Sequence, residues 1–358
     1  MTRLTRRTIL QTGAAAASLP LIGTAASAAE PVKAAFVYIG PIGDYGWTYA
    51  HNQGRLAMQK HFGDKVKTTY VENVSEGPDA ERVIRRLAKD GNDIIFTTSF
   101  GFMNPTLKVA KRFPKVKFEH ATGYKTAPNM ANYNARFYEG RAVCGTIAGH
   151  MSKTASAGYI ASFPIPEVVM GINAFTLAAQ KVNPDFKTKV LWVSSWYDPA
   201  KEADAAKALF DQGADIIAQH TDSPAALQAA EQRGLSAFGQ GWDMSSFAPH
   251  AHLTAIQDNW APYYIDRVQK VMDGKWKTSS TWWGMKEGVV KITPFNKRIP
   301  AKVQEAARAV EAGIIDNTGH PFTGPIFDQS GKQRVAAGQV VPDGELLSMK
   351  WYVKGVQS

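Results

Sequence analysis

Past residue 30 the chain alternates between short apolar runs and amphipathic stretches of helical period, and it does so twice. Residues 34–39 are continuously apolar, which predicts a strand buried on both faces. A helix is expected over 48–62, another over 79–90 with Ala80, Val83, Ile84, Leu87 and Ala88 on one face, then a strand at 93–98, a helix at 105–113 and a strand at 117–122. The second run predicts helix 138–151, strand 158–162, helix 167–182, strand 189–194, helix 199–212, strand 215–219, helix 224–233 and strand 235–240. A further strand is expected at 252–256 and a helix at 261–272. Strands separated by helices of about a dozen residues require right-handed crossovers and parallel sheets. The expected fold class is α/β, with two doubly wound parallel-sheet lobes. A length of 358 residues suits two lobes of about 150 residues each.

In such sheets a ligand sits beyond the carboxyl ends of the strands. The residues at those points are unusually aromatic and polar. Asp44, Tyr45 and Trp47 follow the first strand, and Phe100, Phe102 and Asn104 follow the next. The second run supplies Phe163, Trp196, Asp222, Trp242 and finally Asp258. Exposed tryptophan is uncommon, so these side chains either fill space between the lobes or wall a binding site. As a set they suit a flat ligand held between aromatic planes, with Asp and Asn reading its polar edge. The candidate binding residues are therefore Asp44, Tyr45, Trp47, Phe102, Asn104, Phe163, Trp196, Asp222, Trp242 and Asp258.

Several chemistries find no support. The net charge of +10 is scattered among acidic residues, which argues against a nucleic-acid partner. The loop Gly40-Pro41-Ile42-Gly43-Asp44-Tyr45-Gly46 has neither dinucleotide spacing nor a Gly-Lys-Ser/Thr sequence. The eight histidines are dispersed, and no nucleophile elbow or zinc signature occurs. The single cysteine, Cys144, falls inside an expected helix as a small buried hydrophobe. No catalytic residue, cofactor or metal is expected.

The chain begins with an address. Residues 1–28 combine Arg6-Arg7, an apolar stretch and Ala26-Ser27-Ala28, the pattern of a cleavable leader with a twin-arginine signal. Removing Arg3, Arg6 and Arg7 with it lowers the net charge from +10 to +7.

Beyond the leader, the sequence resembles the Bmp/PnrA-like family of ABC-importer substrate-binding proteins. Asp44-Tyr45-Gly46-Trp47-Thr48 is similar to the family's D-x-S-F-N, and Ser99-Phe100-Gly101-Phe102-Met103-Asn104 to its G-F-x-F-x-D. Tyr138-Glu139-Gly140-Arg141, Met151-Ser152-Lys153-Thr154 and Trp196-Tyr197-Asp198-Pro199 also match in order and spacing. The resemblance implies a type I periplasmic-binding-protein fold whose lobes are joined by a three-strand hinge. One lobe is expected from 32–134 plus 258–283, the other from 135–255 plus part of 284–358, with crossovers near 132–137, 255–258 and 283–291.

It also implies a periplasmic receptor that carries a purine-type small molecule to a permease and its ATPase. Departures bear on the ligand. The family's ribose-directed Asp aligns with Gly241, and its Lys with Asp258. A free nucleobase such as adenine is therefore expected, with Asn104 and the Asp222 carboxylate on its edge; a nucleoside or another small heterocycle is the alternative. A sensory binding protein and an enzyme on this fold are less favoured. No lipobox cysteine is present, so an unanchored monomer is expected.

The leader reading is tested by replacing Arg6→Lys and Arg7→Lys together. This keeps the charge and removes the paired guanidinium groups, and the mature form should disappear from the periplasmic fraction. Its normal appearance there would point to the general secretory route.

Overall fold

The computed structural model describes residues 30–43 and 45–358; the expected leader and Asp44 lie outside them. The first sheet is built from β1 (Val32–Val37), β2 (Val66–Val71), β3 (Ile94–Thr97), β4 (Lys117–Ala121) and β5 (Met130–Ala135), interleaved with helices α1 (Gly46–Phe62), α2 (Pro78–Lys89) and α3 (Met103–Ala110). Period-two alternation divides its side chains between two cores. Ala34, Phe36, Ile94 and Phe96 face one, while Ala35, Val37 and Ile95 face the other, against Val83, Ile84 and Leu87 of α2. The strands are thus buried on both faces, as parallel strands covered by helices must be.

Helix α4 (Phe137–Met151) opens the second lobe, followed by β6 (Ser156–Ala161), α5 (Pro166–Val182), β7 (Lys187–Trp192), α6 (Pro199–Asp211), β8 (Ile216–His220), α7 (Ala225–Gln232), β9 (Ser236–Gly241) and β10 (His252–Asp258). The chain then returns to the first lobe for α8 (Ala261–Met272) and β11 (Ser280–Trp283), and crosses back for β12 (Val290–Ile292) and α9 (Ala301–Ile315). A hairpin of β13 (Ile326–Phe327) and β14 (Gln333–Val335), a short α10 (Asp343–Leu346) and β15 (Val356–Gln357) complete it. Cys144 is a free, fully buried thiol on α4. Beside it, α4 and α5 pack so closely that a β-carbon on Gly145 would stand 2.2 Å from the Phe175 carbonyl oxygen.

The sheet orders are β11-β5-β4-β3-β1-β2 and β12-β10-β9-β8-β6-β7-β15. All pairings are parallel except β12 on β10. In each sheet the connections leave two neighbouring strands, β1 and β3 or β6 and β8, in opposite directions. A crevice opens at that switch point, where ligands of doubly wound sheets bind.

The three passages between lobes are laced together. The Arg136 amide donates to Trp283 O at 2.8 Å, the Met285 amide to Glu139 Oε2 at 2.6 Å, and the Asn259 amide to Val289 O at 2.7 Å. β10 keeps its sheet partners through Asp258, so that passage comes later than expected. β2 was not anticipated. Its Lys67-Thr68-Thr69-Tyr70 stretch lies on the sheet edge and is largely exposed, so it carries no buried apolar run.

Candidate functional site: the cavity between the sheet ends

The carboxyl ends of both sheets meet at a small cavity. Ile39, Trp47, Ser99, Phe100 and Thr122 come from the first lobe, and Glu167, Trp196, His220, Asp222 and Gln240 from the second. Its free volume is about 30 Å³, little more than room for a water molecule. Two wider clefts flank it. One, of about 400 Å³, shares Ile39, Trp196 and Asp222; the other, of about 610 Å³, shares Phe100, Thr122 and Glu167.

The aromatic walls are held rigidly. Trp47 is the second residue of α1, and its indole N–H donates to Thr98 O at 2.6 Å. Its ring meets Trp260 edge-on at 5.5 Å and His51 at 4.2 Å. Trp196 leans on Phe163 at 5.1 Å across the cavity's other side. Phe100 opens a 3-10 turn, Phe100–Phe102. Two residues of such a turn point about 240° apart, so Phe100 reaches the cavity while Phe102 is buried in the core below.

The polar rim has unused capacity. His220 Nε2 lies 3.4 Å from Glu167 Oε1. Burial holds the imidazole below its ordinary pKa, so it is neutral; with Nε2–H given to Glu167, Nδ1 is left as an acceptor. Neither His220 Nδ1 nor Glu167 Oε2 has a hydrogen-bond partner among the described residues. Asp222 accepts the Trp47 backbone N–H at 3.3 Å. Burial, reinforced by the negative charge of Glu202, pushes its pKa up to about 8. The expected carboxylate is therefore a carboxylic acid at neutral pH, able to donate as well as accept.

Arg141 and Asp258 lie behind the rim. Arg141 is fully buried and donates from Nη2 to Gln240 Oε1, while its Nε and Nη1 have no partner among the described residues. Asp258 is likewise buried with neither oxygen hydrogen-bonded. Its burial raises the pKa well above the ordinary value, opposed by the nearby charge of Arg141.

Of the expected set, Trp47, Trp196 and Asp222 line the cavity. Tyr45 and Phe163 line the adjoining 400 Å³ cleft, Tyr45 being stacked on Tyr49 at 4.6 Å. Asp44 lies outside the described residues. Asn104 is not brought to the cavity: it is exposed on α3 and accepts from Lys125 Nζ at 2.8 Å. Phe102 is core, Trp242 packs edge-on against Tyr49 at 5.4 Å, and Asp258 sits behind the lining. Glu167, His220, Gln240 and Arg141 were not anticipated. Glu167 follows Pro166 in the first turn of α5 and reads as ordinary helix-start acid. His220 ends β8, inside the strand and just short of the loop beyond it.

Among the described residues no cluster of three or more His, Cys, Asp or Glu is placed to hold a metal, and no helix is long and apolar enough to cross a membrane.

The family described as ABC transporter substrate-binding protein, PnrA-like (Bmp) matches residues 31–320. The chain belongs to this family. A purine-binding protein of Brucella abortus is 60% identical over 336 residues, covering 94% of this chain and 96% of that protein. A putative ABC transporter glucose-binding protein of Haloferax volcanii is 39% identical over 86% of this chain and 78% of its own length. Among solved structures, a solute-binding protein of an Aeropyrum pernix ABC transporter system covers 85% of this chain and 95% of its own, with a TM-score of 0.70 at 16% identity. One from Conexibacter woesei covers 81% and 98%, with a TM-score of 0.65 at 20% identity. These confirm the two-lobed periplasmic-binding-protein fold. The family is one of substrate-binding proteins.

The protonated state of Asp222 has a measurable consequence in the ligand-free protein. Its folded pKa of about 8 exceeds the ordinary 3.8, so folding takes up a proton between those values. Stability from this group is greatest below about pH 4 and falls as pH rises towards 8. Asp222→Asn removes the proton uptake. The Tm lost between pH 5 and pH 8 should shrink by at least about 3 °C, the effect of about 2 kcal/mol in a chain of this size. Equal losses in both proteins would mean that Asp222 is ionised in the fold.

Proposed function

We propose that this chain is the periplasmic receptor of an ABC importer and closes its two lobes on a free purine base such as adenine, which it delivers to the permease and ATPase. On this reading it is exported, unanchored and monomeric. The observation that carries the ligand assignment is the cavity rim. Aromatic faces from both lobes (Trp47, Phe100 and Trp196) border a narrow space whose edge offers acceptors at Glu167 Oε2 and His220 Nδ1 and a neutral acid at Asp222.

A free purine presents ring nitrogens, an amino or oxo group and an imidazole N–H. Glycosylation removes that N–H and adds a sugar with several hydroxyls. An acceptor-rich rim favours the base, because a buried acceptor left without its donor costs roughly 1–3 kcal/mol. The 60% identical relative, named as purine-binding, supports the same ligand class.

One observation favours a nucleoside. The 610 Å³ cleft beside the cavity is lined by Asn132, Asn134, Ser280, Thr281 and Ser348, groups suited to hydroxyls.

Side-by-side calorimetric titration of adenine, guanine, hypoxanthine and xanthine with their nucleosides decides between the two. The base should bind at least about tenfold tighter than its nucleoside, or about 1.4 kcal/mol. A nucleoside that binds equally or better would place its sugar in the wider cleft and overturn the nucleobase assignment.

A further inference from the structure

Beside the cavity the two lobes meet backbone to backbone. A β-carbon on Gly241 would stand 2.7 Å from the carbonyl carbon of Gly46, and one on Gly46 would stand 2.4 Å from the carbonyl oxygen of Asp222. Gly46 begins α1 in the first lobe; Gly241 ends β9 in the second. Every atom so approached is main chain or at the root of a side chain, so no rotamer change relieves the overlap. Both glycines also have positive φ, 70° at Gly46 and 75° at Gly241.

The contact is bonded to the cavity on both sides. The residue after Gly46 is Trp47, and the residue before Gly241 is Gln240; both line the cavity, as does Asp222. The distance between the lobes at this point therefore fixes how far the cavity walls stand apart. These are also two of the positions at which glycine replaces a larger residue of the motifs the sequence resembles.

We propose that Gly46 and Gly241 are specificity-determining residues. By letting backbone meet backbone they set the separation of the closed lobes, and so the thickness of ligand on which the receptor closes. The inference rests on the purine-base reading and deepens it. With both positions bare, closure runs on until the aromatic walls reach a flat ring. A methyl group at either position meets the opposite lobe first and stops closure short, which removes the walls from a bare ring while leaving room for a bulkier ligand.

Gly234 supplies the control. It lies in the same lobe with φ of 65°, and a β-carbon there meets nothing within 4 Å. Gly234→Ala therefore carries the backbone strain of an alanine at positive φ without the contact between lobes.

The test uses the full chain with dyes on Asp64→Cys, beyond α1, and Lys207→Cys, on α6. Both positions are exposed, and the native Cys144 is fully buried, out of reach of the dyes. Single-molecule energy transfer is recorded with and without adenine, alongside titrations of adenine and adenosine. In the parent and in Gly234→Ala, adenine should drive molecules to a short-distance state. In Gly46→Ala and Gly241→Ala that state should be lost and the adenine Kd should rise at least about tenfold, while the adenosine Kd does not rise. Gly241→Asn, which tolerates positive φ better, serves where the alanine variant does not fold.

Closure and adenine binding in Gly241→Ala equal to those of Gly234→Ala would overturn the proposal. A parent whose distance ignores adenine would instead overturn the purine-base reading. The short-distance fraction of ligand-free molecules then decides the glycine proposal: loss confined to Gly46→Ala and Gly241→Ala upholds it, and equal fractions in all variants sink it.

Discussion

Four ionisable groups share one region beside the cavity, Arg141 and Asp258 fully buried and Glu167 and Asp222 partly so, and withdrawing them from water is the cost around which the site is arranged. Isolated charges in a dry interior are expensive, and proteins answer by pairing them or by moving a proton. Both answers are visible here. Asp222 and Asp258 have raised pKa values, chiefly from burial, and Arg141 opposes the shift at Asp258. Pairing remains incomplete, since Glu167 Oε2, His220 Nδ1 and two Arg141 nitrogens have no partner among the described residues. A folded protein tolerates such groups where a ligand completes them, so the imbalance beside the cavity supports the proposed binding role.

The scaffold places that imbalance at the junction of the lobes. In each lobe the strand order creates a switch point, and the residues beyond the two switch points face each other across the cavity. The three passages between lobes are bonded to one another behind it through Arg136, Glu139 and Asn259. Arg136 adds a second tie, gripping Asp343 of α10 while its guanidinium lies 4.0 Å over the Trp282 ring. The side of the molecule behind the cavity is therefore stitched, and the side carrying Gly46 and Gly241 is held by their contact, the Trp47–Asp222 hydrogen bond and the Tyr49–Trp242 ring pair, few enough ties for a hinge to open.

The sequence made the alternating architecture legible because parallel strands bury both faces and so announce themselves as apolar runs, β1 and β3 above all. Edge strand β2 escaped because half of it is solvent-facing. Strand-end position singles out Trp47, Trp196 and Asp222, which the fold brings to the cavity. It could not separate Phe100 from Phe102, since a 3-10 turn sends one to the cavity and the other to the core. Asn104 lies away from the cavity for a related reason: α3 begins at Met103 and turns that side chain outward to Lys125. Glu167 and Arg141 gave no local signal, because a first-turn acid and a mid-helix arginine look ordinary until the fold sets Glu167 beside His220 and Arg141 against Gln240 and Tyr159. The meaning of Gly241 also changed. Read alone it is a missing acid; in the fold it is a point of contact between lobes.

The most direct test of this account is a crystal structure of the purified protein with adenine. It should show a flat ring in the cavity, in van der Waals contact with the indoles of Trp47 and Trp196 and with its edge on Asp222, Glu167 and His220. Ordered adenine in the 610 Å³ cleft lined by Asn132 and Ser280 instead, with that cavity still closed to it, would contradict the account.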